Sequence, residues 1–239
     1  MLRPIVRRMI EAPPQRTTLP ILVGPLRGAR WMVRSSNASC WLGTYERATQ
    51  AALVEELRAG DCFLDVGAHV GFFTLLGARL VGCSEHTLAI EPLLRNAEVL
   101  NNHLRVNAAA NVRLFRCAVS NERGRASVGT TGPLSCARLG VAGEDVEVRT
   151  LDDVLSEVAI GPVRLVKIDI EGEEARALAG AVHLLAQSPP PSLIIATHGW
   201  RAHAATVDRL ASCGIDGIEA TMEERSGNGT VRFQSRGWE

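Results

Sequence analysis

Residues 62–71, CFLDVGAHVG, hold the pattern that decides the fold, because an apolar run ends there in an acid and a glycine-containing turn. The run predicts a short buried strand, and Gly67 and Gly71 allow a tight turn into a helix at 70–80. The same alternation recurs along the chain. It predicts further strands at 87–91, 112–119, 163–170 and 191–198, and further helices at 46–58, 93–106, 173–186 and 201–212. Such alternation is typical of an α/β fold with a mostly parallel sheet and helices on both faces.

The two ends of the chain and one internal stretch carry weaker patterns. They predict two strands within 18–35, short strands around a glycine-rich loop within 124–150, a helix starting at Leu151, and two strands at 215–220 and 230–235. We expect residues 1–45 to form an N-terminal extension that serves as a lid or a homodimer contact. We expect residues 46–239 to form the main domain.

Composition excludes several classes of protein. The 26 basic and 26 acidic residues give a net charge of zero, which argues against binding to nucleic acid. No apolar run approaches the roughly 20 residues that span a bilayer, and the start of the chain lacks the apolar core of a secretion signal. The six cysteines show no C-x-x-C spacing, so we expect reduced thiols in a cytoplasmic protein and no zinc site.

Four of the predicted strands end in polar residues whose side chains can bind a ligand or exchange a proton: Asp65, Glu91, Asp169 and His198. The carboxyl ends of parallel strands meet at one edge of the sheet, where α/β proteins bind ligands. This edge is therefore the predicted site.

The glycine turn differs from the dinucleotide fingerprint, since it reads D-x-G-x-x-x-G from Asp65 to Gly71. An acid at this place would repel a pyrophosphate and would suit a ligand with an ammonium group, such as S-adenosylmethionine. On the next strand, Glu91 suits a ribose diol, as it would for NAD. The alternative for Glu91 is a helix N-terminal acid before Pro92.

Several motifs occur in a consistent order: DVGAHVGFFT, AIEPLLRNAEVLNNHLRVN, AVSNERG, TLDD and VKIDIEGEEARALAGA. Together they resemble the FkbM family of S-adenosylmethionine-dependent methyltransferases over roughly residues 41–200. The resemblance implies a class I methyltransferase (Rossmann-like) fold with seven mostly parallel strands and a reversed C-terminal strand. It also implies a cofactor site at Asp65, Gly67, Ala68, His69, Gly71, Glu91, Pro92, Ala118, Val119 and Asp169.

The sequence departs from the common family pattern at two places. His69 stands where asparagine is usual, and it either bonds the cofactor or is a tolerated replacement. Ala196-Thr197-His198 stands where a glutamate often precedes the histidine. The second departure concerns the catalytic base.

The segment KIDIEGEE contains the single lysine of the chain, Lys167. Methyl transfer to a hydroxyl needs a base or a positive group that stabilises the alkoxide. By strand alternation, Lys167, Asp169 and Glu171 share one face. The candidates are Asp169 as orienting group or base and Glu171 as substrate-binding acid or second base.

Two further catalytic candidates complete this set. Lys167 would pair with a carboxylate or stabilise an oxyanion, and His198 is the alternative base. The competing interpretation is a structural ion pair of Lys167 with Asp169 or Glu171. We expect no metal site, because three ligand oxygens at fixed spacing are not evident.

Two segments are candidate lids. Trp41, Tyr45 and Glu46, in CWLGTYE, precede the helix that leads into the first sheet strand, and they form either a substrate lid or core packing. The long glycine-containing loop at 131–146 is the second candidate.

The predicted function is O-methylation of a hydroxyl on a sugar, glycolipid or secondary metabolite, so the partner is a small-molecule or glycan acceptor. Two alternatives remain: N-methylation of a small molecule or peptide, and a non-catalytic cofactor-binding partner subunit. A nicotinamide-dependent oxidoreductase is disfavoured because Asp65 stands beside the turn.

Overall fold

The computed structural model describes residues 17–82, 86–130, 137–223 and 227–238. In chain order, the strands are β1 (Thr18–Pro20), β2 (Arg30–Met32), β3 (Cys62–Val66), β4 (Thr87–Ile90), β5 (Val112–Phe115), β6 (Ala118–Val119), β7 (Gly124–Thr130), β8 (Ala137–Leu139), β9 (Glu144–Arg149), β10 (Val163–Ile168), β11 (Ser192–His198), β12 (Glu219–Met222) and β13 (Asn228–Phe233). The helices are α1 (Ala38–Leu42), α2 (Arg47–Glu56), α3 (Phe72–Val81), α4 (Leu94–Val106), α5 (Leu151–Ser156), α6 (Glu174–Ala179), α7 (Val182–Leu185) and α8 (Trp200–Ser212). Among the residues described, none of these helices is long and apolar enough to cross a membrane.

Seven strands form the central sheet in the order β12-β13-β11-β10-β3-β4-β5. Strands β11, β10, β3, β4 and β5 run parallel, whereas β13 is antiparallel to both β11 and β12. This is the mostly parallel sheet with a reversed last strand that the sequence predicted. The parallel strands bring their carboxyl ends to one edge, where the candidate residues gather.

Two apolar clusters cover the two faces of this sheet. Alternation along β3 sends Phe63 into one cluster and Leu64 into the other. The first cluster contains side chains of α2, α3 and α4 and also of the N-terminal hairpin β1–β2. The second contains side chains of α5, α6, α7 and α8. The hairpin therefore contributes to the main core, while the predicted domain boundary near residue 45 stays a prediction.

The predicted strand at 112–119 was wrong in extent, because it is two strands in two different sheets. β5 ends at Phe115, and Ala118–Val119 pairs with β9 in a separate sheet of order β6-β9-β7-β8. The chain leaves the central sheet at Arg116, whose guanidinium reaches the carboxylate of Glu144, the first residue of β9, at 2.9 Å. Hydrophobic periodicity does not report a change of pairing partner, which explains the error.

The predicted helix at 173–186 is also two elements, α6 and α7. A Cβ on Gly180, between them, would overlap the Ser120 carbonyl oxygen. Beyond it, the Asp152 carboxylate accepts hydrogen bonds from the N–H groups of His183 (2.8 Å) and Leu184 (3.0 Å) and so starts a new helix. One helix, α1, was not predicted; the Asn37 side chain caps it by accepting from Ser39 N–H (3.0 Å).

Candidate active site

A deep cleft lies between the carboxyl ends of β3, β4 and β10 and the small four-stranded sheet. We call it the strand-end cleft. Its lining residues are Tyr45, Val66, Gly67, His69, Ile90, Glu91, Pro92, Asn96, Cys117, Ala118, Val119, Val128, Leu139, Asp169, Ile170, Glu171 and Glu173. Many residues of the predicted cofactor site, from Gly67 to Asp169, therefore meet here.

The glycine turn forms one wall of the cleft. Gly67 has a positive φ of 77°, and a Cβ there would overlap the carbonyl oxygen of Asp169, so only glycine lets the turn approach β10 this closely. Gly71 and Ala68 do not line the cleft: Gly71 starts α3 against Leu100, and Ala68 is buried in the core. Both residues therefore pack the turn, and their direct contact with a ligand stays a prediction.

Asp65 also lies outside the cleft lining, and its contact with an ammonium-bearing ligand stays a prediction. Its side chain is fully buried (0% exposed) and accepts a hydrogen bond from the Thr74 hydroxyl at 2.6 Å. Lys167 Nζ lies 3.4 Å from the other carboxylate oxygen. Strand β3 is buried on both faces, so the acid at its end turns inward to this partner.

Lys167 links three parts of the site. Besides Asp65, its ammonium donates to the Gly67 carbonyl oxygen (3.1 Å), and Nζ lies 3.9 Å from Asp169 Oδ2. Burial alone would lower the pKa of Lys167, but Asp65 and Asp169 together raise it above its usual value. The ammonium therefore stays charged and joins the glycine turn to the end of β10.

Glu91 is held by three N–H donors on the opposite wall. Its carboxylate accepts from His69 N–H (2.9 Å), Leu93 N–H (3.0 Å) and the Asn96 side-chain amide (3.1 Å). Burial raises the pKa of Glu91 despite these donors. Glu91 thus accepts a hydrogen bond from the residue that precedes α4 and also faces the cleft, while its contact with a ribose stays a prediction. Sequence reasoning missed Asn96; its place five residues after Glu91, in the first turn of the helix, was the available signal.

His69 lines the cleft in a left-handed conformation (φ 50°). Burial lowers the pKa of its imidazole, and the positive charges of Lys167 and Arg95 lower it further. A neutral ring therefore faces the cleft at neutral pH. At the far end, Pro92, Ala118 and Val119 supply an apolar wall, and all three belong to the cofactor site that the family resemblance implies.

A carboxylate–imidazole cluster stands where the cleft meets β11. Nε2 of His198 lies 3.6 Å from Asp169 Oδ1 and 3.6 Å from Glu171 Oε1, so the three predicted chemical groups do come together. The strand ends at Ile168, and the positive φ of Glu171 (59°), rather than strand alternation, turns its side chain inward. Sequence reasoning missed the fourth member, Glu174, whose Oε1 lies 3.4 Å from His198 Nδ1.

Asp169, Glu171 and His198 each place one potential ligand atom within 4.8 Å of the others, a spacing that a metal ion also accepts. Each carboxylate already has a cationic neighbour, however: Lys167 for Asp169 (3.9 Å) and Arg138 for Glu171 (3.9 Å). We therefore interpret the group as an ion-paired cluster around the imidazole.

A second cavity, which we call the polar cavity, lies on the β11–β13–β12 side of Asp169. Its lining residues are Glu46, Arg47, Ala48, Thr49, Lys167, Ile168, Asp169, Ile194, Ala196, Thr197, His198, Thr221, Met222, Glu223, Asn228, Gly229 and Thr230. Asp169 lines both the strand-end cleft and the polar cavity. It therefore stands where a group bound in one space meets a group bound in the other.

The three predicted lid residues divide between these environments. Trp41 is packed in the core (6% exposed), as in the core-packing alternative that the sequence left open. Tyr45 lines the strand-end cleft and contacts Phe72 edge-on, with ring centroids 5.6 Å apart, while Glu46 lines the polar cavity. In the second lid candidate, the loop at 131–146, residues 131–136 lie outside the described part of the chain, and Leu139 lines the cleft. Cys83, Cys136 and residues 1–16 also lie outside the described part.

Solved structures with similar folds include several methyltransferases. Methyltransferase FkbM from Methylobacillus flagellatus KT is 20% identical, with a TM-score of 0.52 over 77% of this chain and 50% of that one. A SAM-dependent O-methyltransferase from Thermotoga maritima is 13% identical, with a TM-score of 0.52 over 82% of this chain and 67% of that one. These likenesses establish the class I methyltransferase fold.

The sequence comparisons identify the family. A curated relative, the 31-O-demethyl-FK506 methyltransferase FkbM of Streptomyces tacrolimicus, is 32% identical over a match that covers 52% of this chain and 61% of that enzyme. This chain thus spans about three fifths of that relative. The sequence profile of the methyltransferase FkbM domain matches residues 65–215, well over half of the chain. The protein belongs to the FkbM family of methyltransferases.

Proposed function

We propose that this protein transfers a methyl group from S-adenosylmethionine to a hydroxyl of a sugar, glycolipid or secondary metabolite. The observation that carries the proposal is the charge of the strand-end cleft. Four carboxylates line it, those of Glu91, Asp169, Glu171 and Glu173, and no lysine or arginine is among its described lining residues. Such a cleft favours a ligand with a sulfonium and an ammonium group over one with phosphates.

The residues of the cleft fit S-adenosylmethionine part by part. Glu91, fixed by its three N–H donors, keeps lone pairs for the ribose hydroxyls. Pro92, Ala118 and Val119 supply an apolar wall for adenine, and Gly67 and His69 border the amino-acid part. When bound, this cofactor supplies an electrophilic methyl group, whose C–S electron pair stays on sulfur.

The polar cavity is the proposed acceptor site, because it shares Asp169 with the cleft. Its wall carries many hydroxyl, amide and charged side chains, with Thr49, Thr221, Asn228 and Thr230 among them. These groups suit a hydroxylated acceptor more than a hydrocarbon one. In-line transfer then requires that the acceptor hydroxyl lie beside Asp169 and His198.

The relative from Streptomyces tacrolimicus supports oxygen as the methylated atom, since its name describes methylation of a hydroxyl in 31-O-demethyl-FK506. A solved methyltransferase from Streptococcus mutans, 10% identical with a TM-score of 0.52 over 79% of this chain and 96% of that one, carries S-adenosylhomocysteine (SAH). We also propose a cytoplasmic setting, because all four described cysteines are free thiols.

Calorimetry with S-adenosylmethionine, SAH and NAD tests the cofactor. We expect micromolar binding of the first two and none of NAD; the reverse would overturn the proposal. A screen with methyl-labelled cofactor then tests the acceptor, using 31-O-demethyl-FK506, methyl glycosides and a matched set of amines. Label on hydroxyl compounds supports the proposal, whereas label on amines alone shows an N-methyltransferase. Binding of cofactor with no transfer to any acceptor would point to a non-catalytic subunit.

A further inference from the structure

Glu174 is a buried carboxylate that the site described so far does not use. It is fully buried (0% exposed) at the first position of α6, and its Oε1 lies 3.4 Å from Nδ1 of His198. A carboxylate only accepts hydrogen bonds, so Nδ1 carries the hydrogen and Nε2 is left as the proton-accepting atom. Nε2 is the nitrogen that points toward Asp169 and Glu171.

The backbone holds Glu174 in this position. The N–H of Gly172 donates to the same Oε1 at 2.9 Å, and the positive φ of Glu171 (59°) and Gly172 (114°) forms the turn that directs this N–H inward. Burying a carboxylate is costly unless it has partners. Glu174 has two, the turn and the imidazole, and so fixes the ring relative to the end of β10.

Among the groups at the acceptor site, His198 is better suited than Asp169 to receive a proton. The Asp169 carboxylate is already engaged by two neighbours, Lys167 Nζ at 3.9 Å and His198 Nε2 at 3.6 Å. His198 is faced by the carboxylates of Asp169, Glu171 and Glu174, and its own side chain lines the polar cavity. Three carboxylates stabilise the imidazolium that forms when the ring takes a proton.

We propose that Glu174 is a positioning residue that holds His198 in the tautomer able to take the proton of the acceptor hydroxyl. This inference rests on the proposed O-methyl transfer. As the new C–O bond forms, the acceptor O–H bond breaks, its proton passes to Nε2, and the C–S electron pair remains on sulfur. The imidazolium then returns the proton to solvent. The arrangement follows the general logic in which a buried carboxylate orients a catalytic imidazole.

Burial lowers the pKa of His198, but the hydrogen bond to Glu174 and the charges of Asp169 and Glu171 outweigh it, so the net direction is upward. Other charges near the ring are Arg138, which reaches Glu171, and Lys167, which reaches Asp169. The polar cavity that His198 lines also contains Glu46, Arg47 and Glu223. On the β13 side, the register partner of His198 is the uncharged Asn228. The balance around the ring is therefore negative.

Nitrogen NMR of the full chain, labelled at its histidines and kept in EDTA to exclude metal ions, tests the positioning directly. The His198 signals are assigned by their loss in His198→Asn. We expect a titration midpoint above 6.5 and the Nδ1–H tautomer above that midpoint. In Glu174→Gln, which keeps the size of the side chain, the midpoint should fall by about one pH unit or more. Asp208→Asn, on the exposed side of α8, is the matched control and should leave it unchanged.

Two results would overturn the proposal: the Nε2–H tautomer in the neutral ring of the wild type, or the same midpoint in wild type and Glu174→Gln. The first needs no Glu174 variant, so a folding failure of Glu174→Gln does not prevent the decision. In the transfer assay, kcat should rise with pH through the His198 midpoint, and Glu174→Gln should lower kcat with little change in acceptor KM. If the NMR result holds but no acceptor is methylated, the proposed function fails while the positioning of His198 by Glu174 stands.

Discussion

Lys167 and Asp65 are register partners on adjacent parallel strands, and the ammonium nitrogen lies 3.4 Å from a carboxylate oxygen that is fully buried. The single lysine of the chain thus neutralises the acid that precedes the glycine turn. The structural ion pair that the sequence predicted with Asp169 or Glu171 is thus centred on Asp65, with Asp169 Oδ2 at 3.9 Å. The same ammonium bonds the Gly67 carbonyl oxygen at the edge of the cleft, and a role of Lys167 in the reaction stays a prediction.

Lys167→Met should destabilise the protein by about 3–5 kcal/mol, because it leaves the buried Asp65 carboxylate without its counter-ion. Adding Asp65→Asn should restore most of that loss, since no buried charge then remains. Urea unfolding of both variants measures this. The restored double variant should still show methyl transfer at least about tenfold slower than wild type, because Gly67 and Asp169 lose their cation. Wild-type turnover in the double variant would show that Lys167 is only structural.

Lys167→Arg should also destabilise, by about 1–3 kcal/mol, although it keeps the charge. The ammonium fits between Gly67, Asp65 and the ring of Phe73, whose centroid is 5.5 Å from Nζ, and a forked guanidinium is larger. Urea unfolding of Lys167→Arg and of the wild type measures this loss of stability. A variant as stable as wild type would mean that the buried site accepts either cation and that the lone lysine carries no structural information.

Comparing Gly67→Ala with Gly28→Ala separates two costs of adding a Cβ: the strain of a positive φ, and the steric overlap with a neighbouring segment of backbone. Both glycines have positive φ (77° and 85°), but a Cβ at Gly67 would overlap the Asp169 carbonyl oxygen, whereas at Gly28 nothing lies within 4 Å. We expect a loss of about 1 kcal/mol for Gly28→Ala and of about 3 kcal/mol or more for Gly67→Ala. Calorimetry should show SAH binding lost only in Gly67→Ala. Equal effects would mean that the turn tolerates displacement from β10.

The fold and the location of the site were predictable because they depend on local patterns. Alternating strands and helices indicated the sheet, and the acids at strand ends indicated its binding edge. The directions of individual side chains were not predictable. Asp65 lies in a strand that is buried on both faces, so nothing local shows whether its side chain faces a ligand or meets Lys167, about 100 residues further along the chain.

The EGEE segment shows the same limit at shorter range. Three glutamates stand within four residues, and only Glu174 is fully buried beneath His198. The positive φ at Glu171 and Gly172 decides which carboxylate turns inward. A glycine in the sequence permits such a turn but does not specify it, so Glu174 could be found only from the structure.

Glu91→Gln should weaken binding of SAH by about 10- to 100-fold. The carboxylate now accepts hydrogen bonds from the N–H groups of His69, Leu93 and Asn96. In the variant, the amide nitrogen of the glutamine, itself a donor, would face one of these donors. Either that donor or the ribose then loses its acceptor. Calorimetry measures the change, and Glu98→Gln, exposed on the same helix, is the matched control. Affinity within twofold of wild type would remove Glu91 from the cofactor site.

His103 should make the protein less stable in mild acid. The ring is fully buried (0% exposed), its Nε2 accepts from the N–H of Met32 (3.0 Å), and its Nδ1 donates to the Val70 carbonyl oxygen (2.8 Å). It also stacks on Trp31 at 3.9 Å, so it fastens the N-terminal hairpin to α4. Because Nε2 must accept, the folded state requires the neutral ring, and burial lowers the pKa of His103 to about 4.

The sign of the effect follows from this lowered pKa. Between about pH 6.5 and 4 the unfolded chain binds a proton that the folded chain refuses, so the free energy of unfolding falls as the pH falls. His103 should account for about 2–3 kcal/mol of that loss between pH 7 and 4.5. Urea unfolding at the two pH values should show a correspondingly smaller loss in His103→Gln, although that variant is less stable at pH 7. His183→Gln, at an exposed position, should behave as wild type. An unchanged loss in His103→Gln would assign the acid sensitivity to other groups.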